Sequence, residues 1–153
     1  MSEDDRLFPA RPLIGVSVAV IRQGRVLLAA RANAPMRGVW TLPGGLAEAG
    51  ERLADAALRE LHEEVGVHAR VVGPSLTPTE IILTDPQGRV RHHYVVHPHA
   101  ALWRSGEPQP GPEALAVRWA DPADLAGLET TEGLAGTLAE AFARVERAAG
   151  GGT

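Results

Sequence analysis

Leu13-Ile-Gly-Val-Ser-Val-Ala-Val-Ile21 is apolar and rich in β-branched residues, the pattern of a buried strand. Gln23-Gly24 makes a turn, and Val26–Ala30 predicts a second strand paired with the first as a hairpin. Residues 34–38 are loop. From 52 to 65 the period changes to that of a helix, and Gly66 supplies its stop. Two further strands are predicted at 69–72 and 80–84. Asp85-Pro-Gln-Gly88 fits a type I turn, with Asp first, Pro second and Gly fourth. A long strand over 91–103, a Gly/Pro loop over 105–112 and a short strand over 115–120 follow. Asp121-Pro-Ala-Asp-Leu reads as one helical turn. Thr131 is the expected N-cap of a last helix, whose Leu134, Leu138, Phe142 and Val145 form one stripe. Hairpins mixed with a few helices predict an α+β layer fold. No linker divides the chain, so 10–149 is read as one domain, with tails at 1–9 and 150–153.

The helix over 52–65 carries the anomaly. At 100° per residue Ala54, Leu58, Leu61 and Val65 fall on one face. Glu60, Glu63 and Glu64 occupy a sector of about 100° away from it. Leu53, Ala56 and Ala57 precede them on that side, and two of these are small enough to leave room for an approaching group. The carboxylates sit in the last turns, where the helix dipole opposes negative charge. Glu60 has Ala56 and Glu64 at i±4, with no basic residue to compensate. Such a cluster is either a solvated acidic face or the seat of a cation. Oxygen ligands without His or Cys favour Mg²⁺ or Mn²⁺ over zinc.

Bulk properties narrow the partners. With 153 residues the chain suits a single domain. All 15 basic residues are Arg, and the formal net charge is −4, which does not supply the basic face expected for nucleic-acid capture. The absence of Cys excludes disulfides, thiolate metal sites and a Cys nucleophile. The absence of Lys excludes a P-loop GK[ST]. Met1-Ser-Glu-Asp-Asp-Arg is not a signal peptide, and no apolar run reaches membrane-spanning length, so a cytoplasmic location without a membrane is expected.

Gly45, Glu51 and Arg59-Glu60-Leu61-His62-Glu63-Glu64-Val65-Gly66-Val67 have the spacing of the complete Nudix box. The chain is therefore identified as a member of the Nudix hydrolases, which cleave nucleoside diphosphates linked to another moiety. Trp40-Thr-Leu-Pro-Gly-Gly resembles the lead-in to that box. Ser105-Gly-Glu-Pro, Glu113 and Arg118-Trp119 resemble the later part of the domain. The resemblance implies a Nudix fold, an α/β/α sandwich with a mixed β-sheet between helices. It also implies that Glu60, Glu63 and Glu64, with the carbonyl of Gly45, ligate a divalent cation, usually Mg²⁺. Arg59 and Glu51 resemble the pair that fixes the loop against the helix. The general base is expected at Glu63 or Glu64 in the box or at Glu113 in the loop. Related sequences carry an acidic residue just before that loop glutamate, where this chain has Pro112.

Arg31 and Arg37 flank the loop before the box and are candidates for gripping phosphate. His92, His93, His97 and His99 lack a closed ligand set, and strand packing accounts for them better than a metal site. Trp40 and Trp103 are read as core in preference to stacking on a base. The favoured activity is hydrolysis of ADP-ribose to AMP and ribose 5-phosphate, the ADP-ribose pyrophosphatase group being the one the later half resembles. Nucleoside-triphosphate pyrophosphatase action on oxidised dNTPs is the alternative within the class. A non-catalytic nucleotide-sensing domain is the alternative outside it. The expected partner is a small nucleotide, with a homodimer allowed because many members form one.

Overall fold

The computed structural model describes residues 4–150. Strands β1 (Leu13–Arg22) and β2 (Arg25–Arg31) form the expected hairpin. Two short strands follow, β3 (Trp40–Thr41) and β4 (Gly44–Leu46). Helix α1 (Leu53–Val65) ends at Gly66, which adopts φ 75° and donates its N–H to the His62 carbonyl. Then come β5 (His68–Val71), β6 (Thr79–Thr84), β7 (Val90–Ser105) and β8 (Ala114–Ala120). A 3₁₀ turn (Pro122–Gly127) leads to α2 (Leu134–Gly150).

The strands form one mixed sheet. Its path runs β3-β2-β1-β7-β5, with β4 also on β1, β6 also on β7 and β8 also on β2. β1 and β7 pair in parallel from Leu13↔Tyr94 to Ile21↔Leu102, and the other pairings are antiparallel. Alternation along β1 sends side chains to two separate cores. Val16, Val18 and Val20 pack with Ala56, Ala57, Leu61 and Val65 of α1. Ala19 and Ile21 pack with Leu134, Leu138 and Ala141 of α2. Both sheet faces are covered, which makes the expected α/β/α sandwich and explains why β1 is apolar at nearly every position.

Three expectations shift. Thr131 does not cap α2: the Gly133 carbonyl receives the Thr137 N–H, and the Thr131 hydroxyl meets that of Thr41 at 3.1 Å. The helix thus starts two residues later, because Thr131 is used to tie the loop to β3. β3 and β4 were not anticipated as strands; two or three residues flanking Pro43 become strands only through the partners they find on β2 and β1. The tails at 1–9 and 150–153 fall partly outside the described residues. Of the described part, Asp4–Arg6 forms a 3₁₀ turn and the Phe8 N–H bonds the Arg91 carbonyl at 2.9 Å, so this segment lies along β7. α2 continues through Gly150.

Candidate active site

β4 brings Gly44 and Gly45 beside β1, opposite Ser17 and Val16, and α1 crosses over them. Both glycines are demanded by contact. A Cβ on Gly44 would lie 2.2 Å from the Val16 carbonyl oxygen. One on Gly45 would lie 2.2 Å from the Glu60 carboxyl carbon. The box helix therefore presses a carboxylate directly against the Gly45 backbone.

The buried side of α1 differs from the one its periodicity suggested. Ala56, Ala57, Leu61 and Val65 are buried, while Ala54 and Leu58 are only partly so. Ala56 and Ala57 face the sheet and leave no opening for a ligand. Their small size instead lets the helix sit close to β1. Glu60 and Glu64 continue this stripe one and two turns on, at i+4 from Ala56 and i+3 from Leu61. They are thus half-buried at the rim of the core, whereas Glu63 is exposed. Leu and Ala are both apolar, so the angle of the stripe alone leaves open which flank the sheet takes.

Burial sets the electrostatics. It pushes the Glu64 carboxyl from 4.5 to about 7, with repulsion from Glu113 and Glu60 adding to the rise. The Gly44 N–H, which donates to Glu64 Oε2 at 3.0 Å, and Arg31 act in the opposite sense. Burial also raises Glu60, with repulsion from Glu63 and Glu113 in the same direction. Three carboxylates from α1 and the loop after β7 therefore repel one another across one space. Glu113, itself exposed, borders that space.

Arg59 organises the other flank. Its Nε and Nη2 grip Glu51 in a fork, both at 2.8 Å, and Nη2 also donates to the Leu46 carbonyl at 3.0 Å. Nη1 reaches Glu60 at 3.0 Å and Glu63 at 3.2 Å. The hydrogen bonds from Arg59 hold Glu51 down at about 2. One guanidinium thus ties the loop, β4 and the helix together. Among the described residues no three acidic or histidine side chains already stand at mutual ligating distance. Glu60 and Glu63 turn toward Arg59, and Glu64 toward Gly44.

A cavity of about 920 Å³ opens beside this frame. Glu64, Gly44, Gly45, Glu113 and Arg31 line one part of it. Arg31 is anchored by Nε to the Pro35 carbonyl at 2.9 Å. Arg37 is separated from it: exposed, absent from the lining, and bonded to the Ala32 carbonyl. The histidines divide by strand parity. His99 is buried with Nδ1 3.3 Å from the Ser17 carbonyl, and burial lowers its pKa. His92 lies beside Tyr94 in the cavity wall. Trp40 packs against the α2 core and Trp103 against the α1 core, so neither faces the cavity. Two features were not foreseen. Tyr94 and the described part of the N-terminal segment, through Arg6, complete the cavity wall. Tyr94 was visible only as one of many strand residues, and the position of Arg6 depends on a long-range contact with β7.

The NUDIX domain family model matches residues 11–142, which contain the whole glycine–glutamate frame. The chain belongs to the Nudix hydrolase family. It is 30% identical to the MutT Nudix hydrolase of Burkholderia pseudomallei, covering 84% of this chain and 96% of that one with a TM-score of 0.67. It is 34% identical over 82 residues to an ADP-ribose pyrophosphatase of Methanocaldococcus jannaschii, 52% of this chain and 46% of that protein. It is also 34% identical over 131 residues to an m7GpppN-mRNA hydrolase of Danio rerio, 73% of this chain and 42% of that protein. The chain thus spans less than half the length of these two curated relatives. Nudix hydrolases generally use divalent cations, and this domain's hard oxygen donors beside a glycine backbone suit one. Among the described residues no helix is long and apolar enough to cross a membrane.

Proposed function

We propose that this domain hydrolyses the diphosphate linkage of a nucleoside diphosphate joined to another group, in a reaction dependent on Mg²⁺ or Mn²⁺. ADP-ribose is the first candidate substrate, with AMP and ribose 5-phosphate as products. The observation that carries the reading is the seating of Glu60 against Gly45 and of Glu64 on the Gly44 N–H, with Glu64 and Glu113 lining the cavity beside them. A protein that half-buries two carboxylates at the edge of its core, with a third close by, gives up stability there, and a bound cation would restore it.

Glu60, Glu63 and Glu64, with the Gly45 carbonyl, would hold the cation. Bound there, it would neutralise phosphate oxygens and lower the pKa of the attacking water. Arg31, at the end of β2 and lining the same cavity, would grip a phosphate. Arg59, through Glu51 and Leu46, keeps Glu60 and Glu63 oriented. A water oxygen forms a bond to phosphorus as the bridging P–O bond breaks, and the departing phosphate takes the bonding electrons. The water's proton passes to a carboxylate. Glu64 and Glu113 line the cavity and are the two preferred acceptors; Glu63 is exposed and paired with Arg59.

The test is a substrate panel with Mg²⁺: ADP-ribose, NADH, diadenosine polyphosphates, sugar nucleotides and dNTPs, read as phosphate released after phosphatase coupling. ADP-ribose should turn over best. Preference for dNTPs would select pyrophosphatase action on triphosphates instead. Binding without turnover of any member would support a nucleotide sensor. Glu64→Gln should lower kcat at least about a hundredfold, the scale of removing a metal ligand or base.

A further inference from the structure

Residues 106–113, between β7 and β8, carry Glu113, and this loop follows the last turn of α1 backbone against backbone. The Gln109 N–H donates to the Val65 carbonyl at 3.0 Å, a helix-end carbonyl with no partner inside α1. A Cβ on Gly106 would lie 2.4 Å from the Gly66 carbonyl oxygen. One on Gly111 would lie 2.4 Å from that of Glu64. At the loop's other end the Glu113 carbonyl accepts the Ala32 N–H at 3.0 Å. The place of Glu113 is therefore tied to the helix turn that bears Glu60, Glu63 and Glu64.

A cluster of side chains closes the start of the loop. Trp103 Nε1–H donates to the Gly106 carbonyl at 2.8 Å. The Arg22 guanidinium lies 3.7 Å from the centre of the Trp103 ring and 5.6 Å from that of Trp119. Arg22 Nη1 also reaches both carboxylate oxygens of Glu107, at 3.0 and 3.2 Å. A planar guanidinium can stack on an indole and hold a carboxylate at once. An exposed ion pair alone contributes little, but here the stacked, half-buried Trp103 fixes the cation that Glu107 meets. Arg22 itself stands apart from the reacting groups. It is absent from the cavity lining and lies six residues along β1 from Val16, the partner of Gly45, about 20 Å at the usual strand rise.

We infer that Arg22 is a positioning residue for Glu113: by clamping Trp103 and Glu107 it holds the loop on the end of α1 and so fixes the gap between Glu113 and Glu64. The inference rests on the hydrolase reading of that site. Released at its start, the loop keeps the Ala32 contact but can slide along the helix end, carrying Glu113 with it. A misplacement of about 1 Å can cost a hundredfold in rate without removing any reacting group. Substrate binding should change little, because Arg22 and Glu107 do not line the cavity.

The test pairs steady-state hydrolysis of ADP-ribose with Mg²⁺ and amide hydrogen exchange of the whole protein, for wild type, Arg22→Met and Glu107→Ala, each also in a Glu113→Gln background. Arg22→Met keeps the aliphatic stem over Trp103, and Glu107 is exposed, so neither change empties the core. Each should lower kcat about tenfold with KM within about twofold, and speed exchange of the Gln109 amide about tenfold or more. The double variant should lose no more than either single one, since both break the same clamp. In the Glu113→Gln background neither should lower kcat further. Unchanged exchange at Gln109 would overturn the clamp. Faster exchange with unchanged kcat, an equal loss in the Glu113→Gln background, or a wild-type kcat for Glu113→Gln itself would each overturn the positioning role. If wild type hydrolyses no diphosphate substrate, the hydrolase reading fails, and the exchange comparison alone decides whether Arg22 holds the loop.

Discussion

Replacing Glu64 by Gln should stabilise the metal-free protein while removing its activity. Glu64 carries a carboxyl raised from 4.5 to about 7, chiefly by burial. A raised carboxylate costs nothing below its unfolded pKa, where both states are protonated. The cost grows as pH rises from about 4.5 to 7 and is constant above that. At 1.36 kcal/mol per unit, the full displacement corresponds to about 3 kcal/mol, an upper bound because Glu64 keeps some solvent contact. Gln preserves an oxygen for the Gly44 N–H, now 3.0 Å from Glu64 Oε2, and removes the charge. The expected gain at pH 8 is roughly 1–3 kcal/mol, a rise in Tm of about 3–10 °C for a domain of this size.

The assay is urea denaturation in EDTA at pH 4.5 and pH 8. Wild type should lose stability between the two values relative to the variant, and the two should agree more closely at pH 4.5. Adding Mg²⁺ at a hundred times its dissociation constant should stabilise wild type by about 2.7 kcal/mol, and the variant by much less. A variant less stable than wild type at pH 8 in EDTA would refute the reasoning. It would mean that the Gly44 contact outweighs the burial of charge.

Three other outcomes test the surrounding frame. Arg59→Lys removes the fork to Glu51 and the bond to the Leu46 carbonyl, since an ammonium cannot serve both; urea denaturation should show a loss of about 1–3 kcal/mol, with a fall in kcat. Gly111→Ala would put a Cβ 2.4 Å from the Glu64 carbonyl oxygen, forcing the loop that bears Glu113 away from α1. It should lower kcat about tenfold or more, and steady-state kinetics should show no further loss in a Glu113→Gln background. Glu140 is held below 4.5 by the Thr77 N–H at 2.7 Å. Its contribution is therefore present above about pH 4.5 and lost as pH falls through the folded value. Glu140→Gln should cost less than about 1 kcal/mol at neutral pH, with the difference shrinking in acid, as read by thermal melts across pH.

The layer architecture was legible because two signals were local. The doubly buried β1 shows as an unbroken apolar run, and Leu134, Leu138, Phe142 and Val145 keep one helical stripe against the sheet. Register and short strands were not legible. β7 is parallel to β1 and borders β5 and β6 along different halves of its length, a choice made by contacts far apart in the chain. Thr131 has cap chemistry, yet its hydroxyl is taken by Thr41, 90 residues away.

The acidic cluster was legible as an anomaly, and its environment was not. Three glutamates opposed to the helix dipole, with no basic residue at i±4 of Glu60, left a solvated acidic face and a cation seat both open, and the resemblance to the Nudix box supplied the choice between them. Periodicity placed them away from the packing face. The observed helix instead lays Ala56 and Ala57 on the sheet, and Glu60 and Glu64 follow at the core's rim. That difference changes the physics. Carboxylates on an open face repel weakly through water, whereas at the rim burial, helped by repulsion from Glu113 and Glu60, moves Glu64 to about 7. The small alanines create this condition, because larger residues would lift the helix and return Glu60 and Glu64 to solvent. On this argument Ala57 belongs to the site as much as to the core: it sets how deeply the carboxylates sit, and so how strongly a cation would be held.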